Sequence, residues 1–212
     1  MSAGLTLLEQ CRAALTQNGF DVFFAKDATR AGQIFFEQIL PAVKSDLVSW
    51  ADSMTMEATG VLDQLLADPA IEVIKTFDPE AERGVLIERR RQALLSDLFI
   101  TGSNAVTACG KLVNLDMIGN RTAAISFGPK KVVLFVGQNK IVPDLDSAID
   151  RIKHHAAPLN ARRHDIPTPC AKTGRCHDCT TKQRICNTWS IIDKCFPVGR
   201  IKVVLIDGDW GL

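Results

Sequence analysis

Four cysteines near the end of this 212-residue chain stand at spacings that can bring thiolates together: Cys170-x5-Cys176-x2-Cys179-x6-Cys186, with Cys195 nine residues further on. A Cys-x-x-Cys unit lets two thiolates converge on one ion. Two more thiols from nearby turns complete a four-sulfur set that suits Zn²⁺ or an iron–sulfur cluster, and spacing does not choose between them. Lys172, Arg175, Lys182 and Arg184 flank the set and would offset its charge and depress the thiol pKa values. His177 lies inside the pair and is less well placed as a ligand than Cys186. Two other readings compete. Cys176-His-Asp-Cys179 has the spacing of a redox dithiol but lacks a thioredoxin-like strand before it, and inert thiols, or disulfides formed only in air, account for the same residues.

A second constellation is polar and rich in glycine. Asn104, Asn114, Asp116, Gly119, Asn120 and Arg121 fall on turns after apolar runs, where open α/β sheets bind ligands. With Asn120 as N-cap, the free amides of the helix that follows make an anion site, and Arg121 adds a charged fork. An ordinary turn and a surface arginine explain the same residues. Ser53-Met54-Thr55 could bind an anion or cap a helix. His154-His155 reads as solvated, and Asp207-Gly-Asp-Trp-Gly as a chain-terminal turn rather than a metal loop. There is no Ser/His/Asp set, P-loop or HExxH.

The elements that must position these groups alternate. Amphipathic helices are expected over Leu5–Leu15, from the cap Asp27 to Leu40, over Glu57–Ala67, Pro79–Leu95 and Asp146–Ala157. Strands are expected at Phe20–Phe24, Leu47–Trp50, Ile71–Phe77, Leu98–Thr101, Val132–Val136 and Arg200–Ile206. Ala105–Thr107 and Leu112–Leu115 flank Cys109-Gly110 as a hairpin with a two-residue turn. Strand–helix alternation implies crossovers, hence a Rossmann-like α/β fold with a mainly parallel sheet flanked by helices. The expected division is an α/β core over residues 1–165, a cysteine-rich loop with a short helix over 166–199, and a final strand over 200–212 that returns to the core.

Charge is almost balanced, with 25 Lys and Arg against 24 Asp and Glu, so no global field points to nucleic acid or membrane. Locally, Arg151–Arg184 holds eight basic residues and two acids, a solvated face or a dock for an anionic partner. The N-terminal residues lack the pattern of a signal peptide, and the apolar runs are far too short to span a bilayer. A cytoplasmic protein is the expectation, and in that compartment seven cysteines argue for thiol or metal chemistry over a disulfide framework.

Several runs together carry a resemblance. They are Thr101-Gly-Ser-Asn-Ala-Val-Thr, Gly110-Lys-Leu-Val-Asn-Leu-Asp, Gly119-Asn-Arg-Thr-Ala-Ala, Phe127-Gly-Pro-Lys-Lys-Val, Trp50-Ala-Asp-Ser-Met-Thr-Met and the cysteine tail from Thr168. The chain resembles the LUD-domain (lactate utilisation) family, and its tail the short, single-domain members. Cys109 stands where many relatives have an acid before the turn glycine. The resemblance implies a fold like the glucosamine-phosphate deaminase, ribose-phosphate isomerase and CoA-transferase group. It also implies a role, accessory or enzymatic, in organic-acid utilisation of the lactate type, with a small anionic ligand and iron–sulfur proteins as partners. A metal-binding or electron-transfer subunit is the rival reading. An isomerase or transferase acting on a phosphorylated or CoA-linked substrate rests on fold analogy alone.

Overall fold

A computed structural model describes residues 5–212; residues 1–4 of the expected core lie outside them. Helix α1 (Leu7–Gln17) starts at a capping box between Thr6 and Glu9 and stops at Asn18-Gly19. Strand β1 (Asp21–Ala25) leads to α2 (Ala28–Ile34), which Asp27 caps by accepting from the Arg30 amide. A π-helical turn (Phe35–Ile39) joins α2 to α3 (Leu40–Val43). Then follow β2 (Leu47–Trp50), the short α4 (Met54–Glu57), α5 (Val61–Ala67), β3 (Glu72–Ile74) and α6 (Arg83–Gln92). The middle of the chain holds β4 (Leu98–Gly102), β5 (Ala105–Thr107), β6 (Leu112–Asp116), α7 (Asn120–Ser126) and β7 (Lys131–Gly137). The last part holds β8 (Ile141–Val142), α8 (Leu145–Arg151), α9 (Ala157–Arg163), α10 (Pro169–Thr173), β9 (Thr188–Ile192) and β10 (Ile201–Ile206).

Six strands form one parallel sheet in the order β1-β10-β7-β4-β2-β3. The fold is α/β and Rossmann-like, as the alternation of elements implied. β7 sits mid-sheet, and its continuous apolar run is buried on both faces. Val132, Leu134 and Val136 pack to one side with Cys11, Leu15 and Ile125. Val133 and Phe135 pack to the other with Phe35, Met56 and Leu65. That division is the two-residue period of a strand. No described helix is long and apolar enough to cross a membrane.

A second, four-stranded sheet runs β8-β5-β6-β9. β5 and β6 pair antiparallel, as the hairpin reading required. Their turn has three residues rather than two: the Gly110 amide donates to the Thr107 carbonyl at 2.8 Å, and Gly110 has φ of 78°. This left-handed glycine is what a type I turn needs to rejoin the ladder. Strand β9, inside the segment expected as loop, pairs with β6 from Leu112↔Ile192 to Asp116↔Thr188 and ties the cysteine-rich stretch to the core.

Two expected helix ends fall short for one reason. The sequence reading stops at Leu40 and Ala157, each one residue before a proline. The structure continues through Pro41 and Pro158 to Val43 and Arg163. In both places a π-helical turn, Phe35–Ile39 or Ile152–Ala156, directly precedes the proline-containing segment. The wider turn absorbs the missing proline N–H and the ring's clash with the preceding turn. The second extension carries functional weight, because α9 brings Asn160 and Arg163 over the strand ends.

Candidate functional site

A cavity of about 330 Å³ lies at the carboxyl ends of β2, β4 and β6, roofed by α9 and the π-helical turn before it. This is where parallel α/β sheets bind ligands, and the volume suits a small molecule. After β2 the chain turns at Ser53, whose hydroxyl accepts from the Met56 amide at 3.3 Å and starts α4. After β4 it turns at Gly102. A Cβ there would stand 2.4 Å from Ser53 Oγ and 3.2 Å from the Phe135 carbonyl oxygen, so only glycine lets these turns meet. Ser53-Met54-Thr55 is thus a helix start, and Ser53 and Met54 are also part of the cavity edge.

The polar residues singled out in the sequence meet here, on hydrogen bonds to one another. Asn104 accepts at Oδ1 from the Leu115 amide (2.9 Å) and from Arg121, and its own amide donates to Asn114 Oδ1 at 3.1 Å. Arg121 Nε donates to Asp116 Oδ1 at 2.9 Å, and Nη2 donates to the Leu115 carbonyl at 3.0 Å. Asp116 Oδ2 accepts from the Thr122 amide at 2.7 Å. Asn104, Asp116, Asn120 and Arg121 line the cavity, whereas Asn114 lies fully buried behind it. Asn114 Nδ2 has no acceptor among the described residues. Gly119, not Asn120, is the residue that precedes α7. The free amide there goes to the Asp116 carboxylate, so the protein's own acid occupies the helix start that would receive an outside anion.

Asp52, Arg90 and Lys140, which sequence reasoning passed over, line the same space together with Arg163, one of the basic residues of the Arg151–Arg184 stretch. Arg163 pairs with Asp52, and His164 Nε2 lies 3.0 Å from the same carboxylate oxygen. Arg90 stacks over the Phe77 ring at 4.9 Å, and its Nε has no acceptor among the described residues. Burial, then Arg83, lowers the Arg90 pKa. Lys140 follows the central strand β7 and is 5% exposed. Its amine is held down to about 7, first by burial and then by the neighbouring guanidiniums of Arg151 and Arg121. No carboxylate among the described residues forms an ion pair with Arg90 or Lys140. Only their positions in the fold mark these two residues; no local motif does.

The four cysteines with ligand spacing also converge. Cys170, Cys176, Cys179 and Cys186 line a second cavity of about 20 Å³ with Thr168, His177 and Arg184. Leu115, Ala157 and Ile185 border both cavities and form the wall between them. Arg184 Nε donates to the Cys186 carbonyl at 2.9 Å and to its sulfur at 3.1 Å. Burial raises the Cys186 thiol, and Arg184 opposes that rise. Lys153 holds Asp178 at 2.7 Å and pins the Cys-x-x-Cys turn to the roof helix. Space for about one water-sized sphere fits a single ion such as Zn²⁺, whereas a four-iron cluster would need the loop to open. Among the described residues, no three His, Cys, Asp or Glu side chains stand at coordinating separations, so ligation would need the thiols to rotate inward. Cys195 packs in the main core, away from the set.

The family model described as LUD domain matches residues 8–206. Among solved structures, the chain is similar to a DUF162-family protein from Deinococcus radiodurans, with a TM-score of 0.51 at 14% identity. That match covers 97% of this chain and 100% of the other. No curated protein matches the chain.

Proposed function

The chain belongs to the LUD-domain family, and on that premise we propose that it binds a small organic anion, of the lactate type, at the carboxyl ends of its parallel strands. Its role on this reading is an accessory or enzymatic step in organic-acid utilisation. One observation carries the reading: the cavity is lined by the Arg90 guanidinium, which has no carboxylate partner, and by the unpaired Lys140 amine, while Arg121 and Arg163 are each held by an acid. An uncompensated guanidinium lining a half-open cavity favours an anion, and partial desolvation strengthens the attraction. Phe77, Met54 and Ile118 at the edge add apolar surface for a carbon skeleton.

The test is thermal unfolding of the full chain with L-lactate, pyruvate, phosphate and chloride at equal ionic strength. An organic anion should raise Tm in the wild type, and less so in Arg90→Gln. A charged hydrogen bond contributes roughly 1.5–3 kcal/mol, so binding should weaken by about ten- to a hundredfold. Equal shifts for every salt would sink the reading.

A second reading rests on the thiol cavity. Four sulfurs around one small space support a Zn²⁺ or iron–sulfur centre, with Cys170, Cys176, Cys179 and Cys186 as its holders. Such a group would supply either a structural clamp or electron transfer next to the anion cavity. On this reading iron–sulfur proteins are natural partners.

A further inference from the structure

Lys140 has an unusual setting for a lysine. It follows β7, the strand between β10 and β4, and lines the ligand cavity with its side chain almost wholly out of solvent. A Cβ on Gly211 would stand 3.3 Å from the Lys140 amine and 2.6 Å from the Thr55 hydroxyl. Thr55 spends that hydroxyl on the Trp210 carbonyl, at 2.8 Å. The charged groups that bear on the amine are the guanidiniums of Arg151 and Arg121, both of its own sign. Arg151 is fixed by donating to the Asn139 and Asn104 carbonyls at 3.0 and 2.8 Å, and Arg121 by Asp116.

A lysine meant only to attract an anion works best fully charged. This one is surrounded by features that favour the neutral amine with a free lone pair: burial, like charge and no carboxylate within ion-pair distance. Amines so placed react with carbonyl groups. The geometry points to Lys140 Nζ as a nucleophile that forms an imine with the carbonyl carbon of a small 2-oxo acid held in the cavity. This rests on the anion reading above and narrows its ligand class.

The step balances without a redox partner. The Nζ lone pair forms the C–N bond as the carbonyl π pair moves to oxygen, which takes one amine hydrogen to give a carbinolamine. The C–O bond then breaks, and the oxygen leaves as water with the second amine hydrogen, leaving C=N. Nothing is oxidised or reduced. The imine nitrogen then takes a proton from solvent at the half-open cavity, and the ligand's carboxylate beside it favours that protonated form.

The experiment treats the full chain at pH 7 with pyruvate, glyoxylate or 2-oxoglutarate plus cyanoborohydride, which reduces the protonated imine to a stable amine, and maps the adduct by peptide mass spectrometry. L-lactate, which has the carboxylate but no carbonyl, is the control. The expected result is an adduct with at least one 2-oxo acid, richer at Lys140 than at any exposed lysine by about tenfold or more, since ordinary lysines are almost fully protonated at that pH. It should be absent with lactate and from the Lys140 peptide of Lys140→Arg. Mapping the wild type gives the answer even if that variant folds poorly. An adduct spread evenly over the lysines overturns the inference. If a 2-oxo acid raises Tm but leaves no adduct at Lys140, the imine fails and the anion reading stands. If neither signal is seen, both fall.

Discussion

Arg121 and Asp116, five residues apart, form an ion pair of 2.8 Å with side chains only 13% and 8% exposed, and it closes the start of α7 from within. The same carboxylate accepts from the Thr122 amide, and the same guanidinium reaches Asn104 and the Leu115 carbonyl. One pair therefore joins β6, α7 and the turn after β4. It is part of the site's frame, and the charge free to meet a ligand lies elsewhere in the cavity.

Breaking that pair should cost stability. Asp116→Asn leaves the Arg121 charge buried without its counter-ion, a situation that costs about 3–5 kcal/mol. Arg121→Lys keeps the charge but loses the fork and should cost less. Urea unfolding should show a lowered midpoint at unchanged slope. A midpoint within error of wild type for Asp116→Asn would show that the pair does not hold the frame.

The depressed amine of Lys140 has a pH signature. In the fold it titrates at about 7, against an ordinary value of 10.5. Between those values the unfolded chain binds the extra proton and the fold does not, so stability should rise with pH across that window. The charged groups that bear on the amine are the guanidiniums of Arg151 and Arg121, and neither loses a proton there. Lys140→Met should therefore melt higher than wild type near pH 7, with the gap shrinking toward pH 10. The check is Tm of both proteins at several pH values, and a gap that ignores pH overturns the assignment.

Gly102 and Ser53 should be coupled. Gly102→Ala puts a methyl 2.4 Å from Ser53 Oγ, displacing the hydroxyl that caps α4. Overpacking of this kind costs about 1–3 kcal/mol. Ser53→Ala alone loses the cap, at about 0.5–2 kcal/mol. The double variant removes the clashing oxygen, so it should be more stable than the sum of the two losses implies. A double-mutant cycle by chemical unfolding measures this, and strict additivity would mean that the turns do not meet.

The thiol reading predicts metal uptake. Protein prepared without oxygen and supplied with Zn²⁺, or with iron and sulfide, should hold more metal than the Cys176→Ser/Cys179→Ser double variant by elemental analysis. Equal content in the two proteins would make the four cysteines inert neighbours. The polar, half-exposed turn around Cys176 should make any iron centre sensitive to air.

Much of this molecule is written locally. The run Val132–Val136 reads as a strand buried on both faces because no residue in it tolerates water, and it lies mid-sheet. Asp27 and Asn18-Gly19 mark helix ends because capping and left-handed backbone are properties of single residues. The Cys-x-x-Cys spacing and the turn residues from Asn104 to Arg121 announce two polar clusters, and each lies about one cavity. The alternation of elements likewise sufficed for the α/β class.

What the sequence alone could not settle is which charges remain free. Asp52 and Arg163 meet across 111 residues, and Arg121 is taken by Asp116 rather than left to a ligand. Lys140, in the unremarkable run Gln-Asn-Lys, becomes the buried, unpaired amine only because β7, α8 and the turn at Gly211 close around it. Strand β9 was invisible for a related reason: its residues are mostly exposed, so they lack the apolar run of a core strand, and pairing with β6 makes it one. Helix caps and strand patterns follow from neighbours along the chain. Ion pairing and burial follow from neighbours in space, and these tertiary contacts decide which of the protein's charges can act.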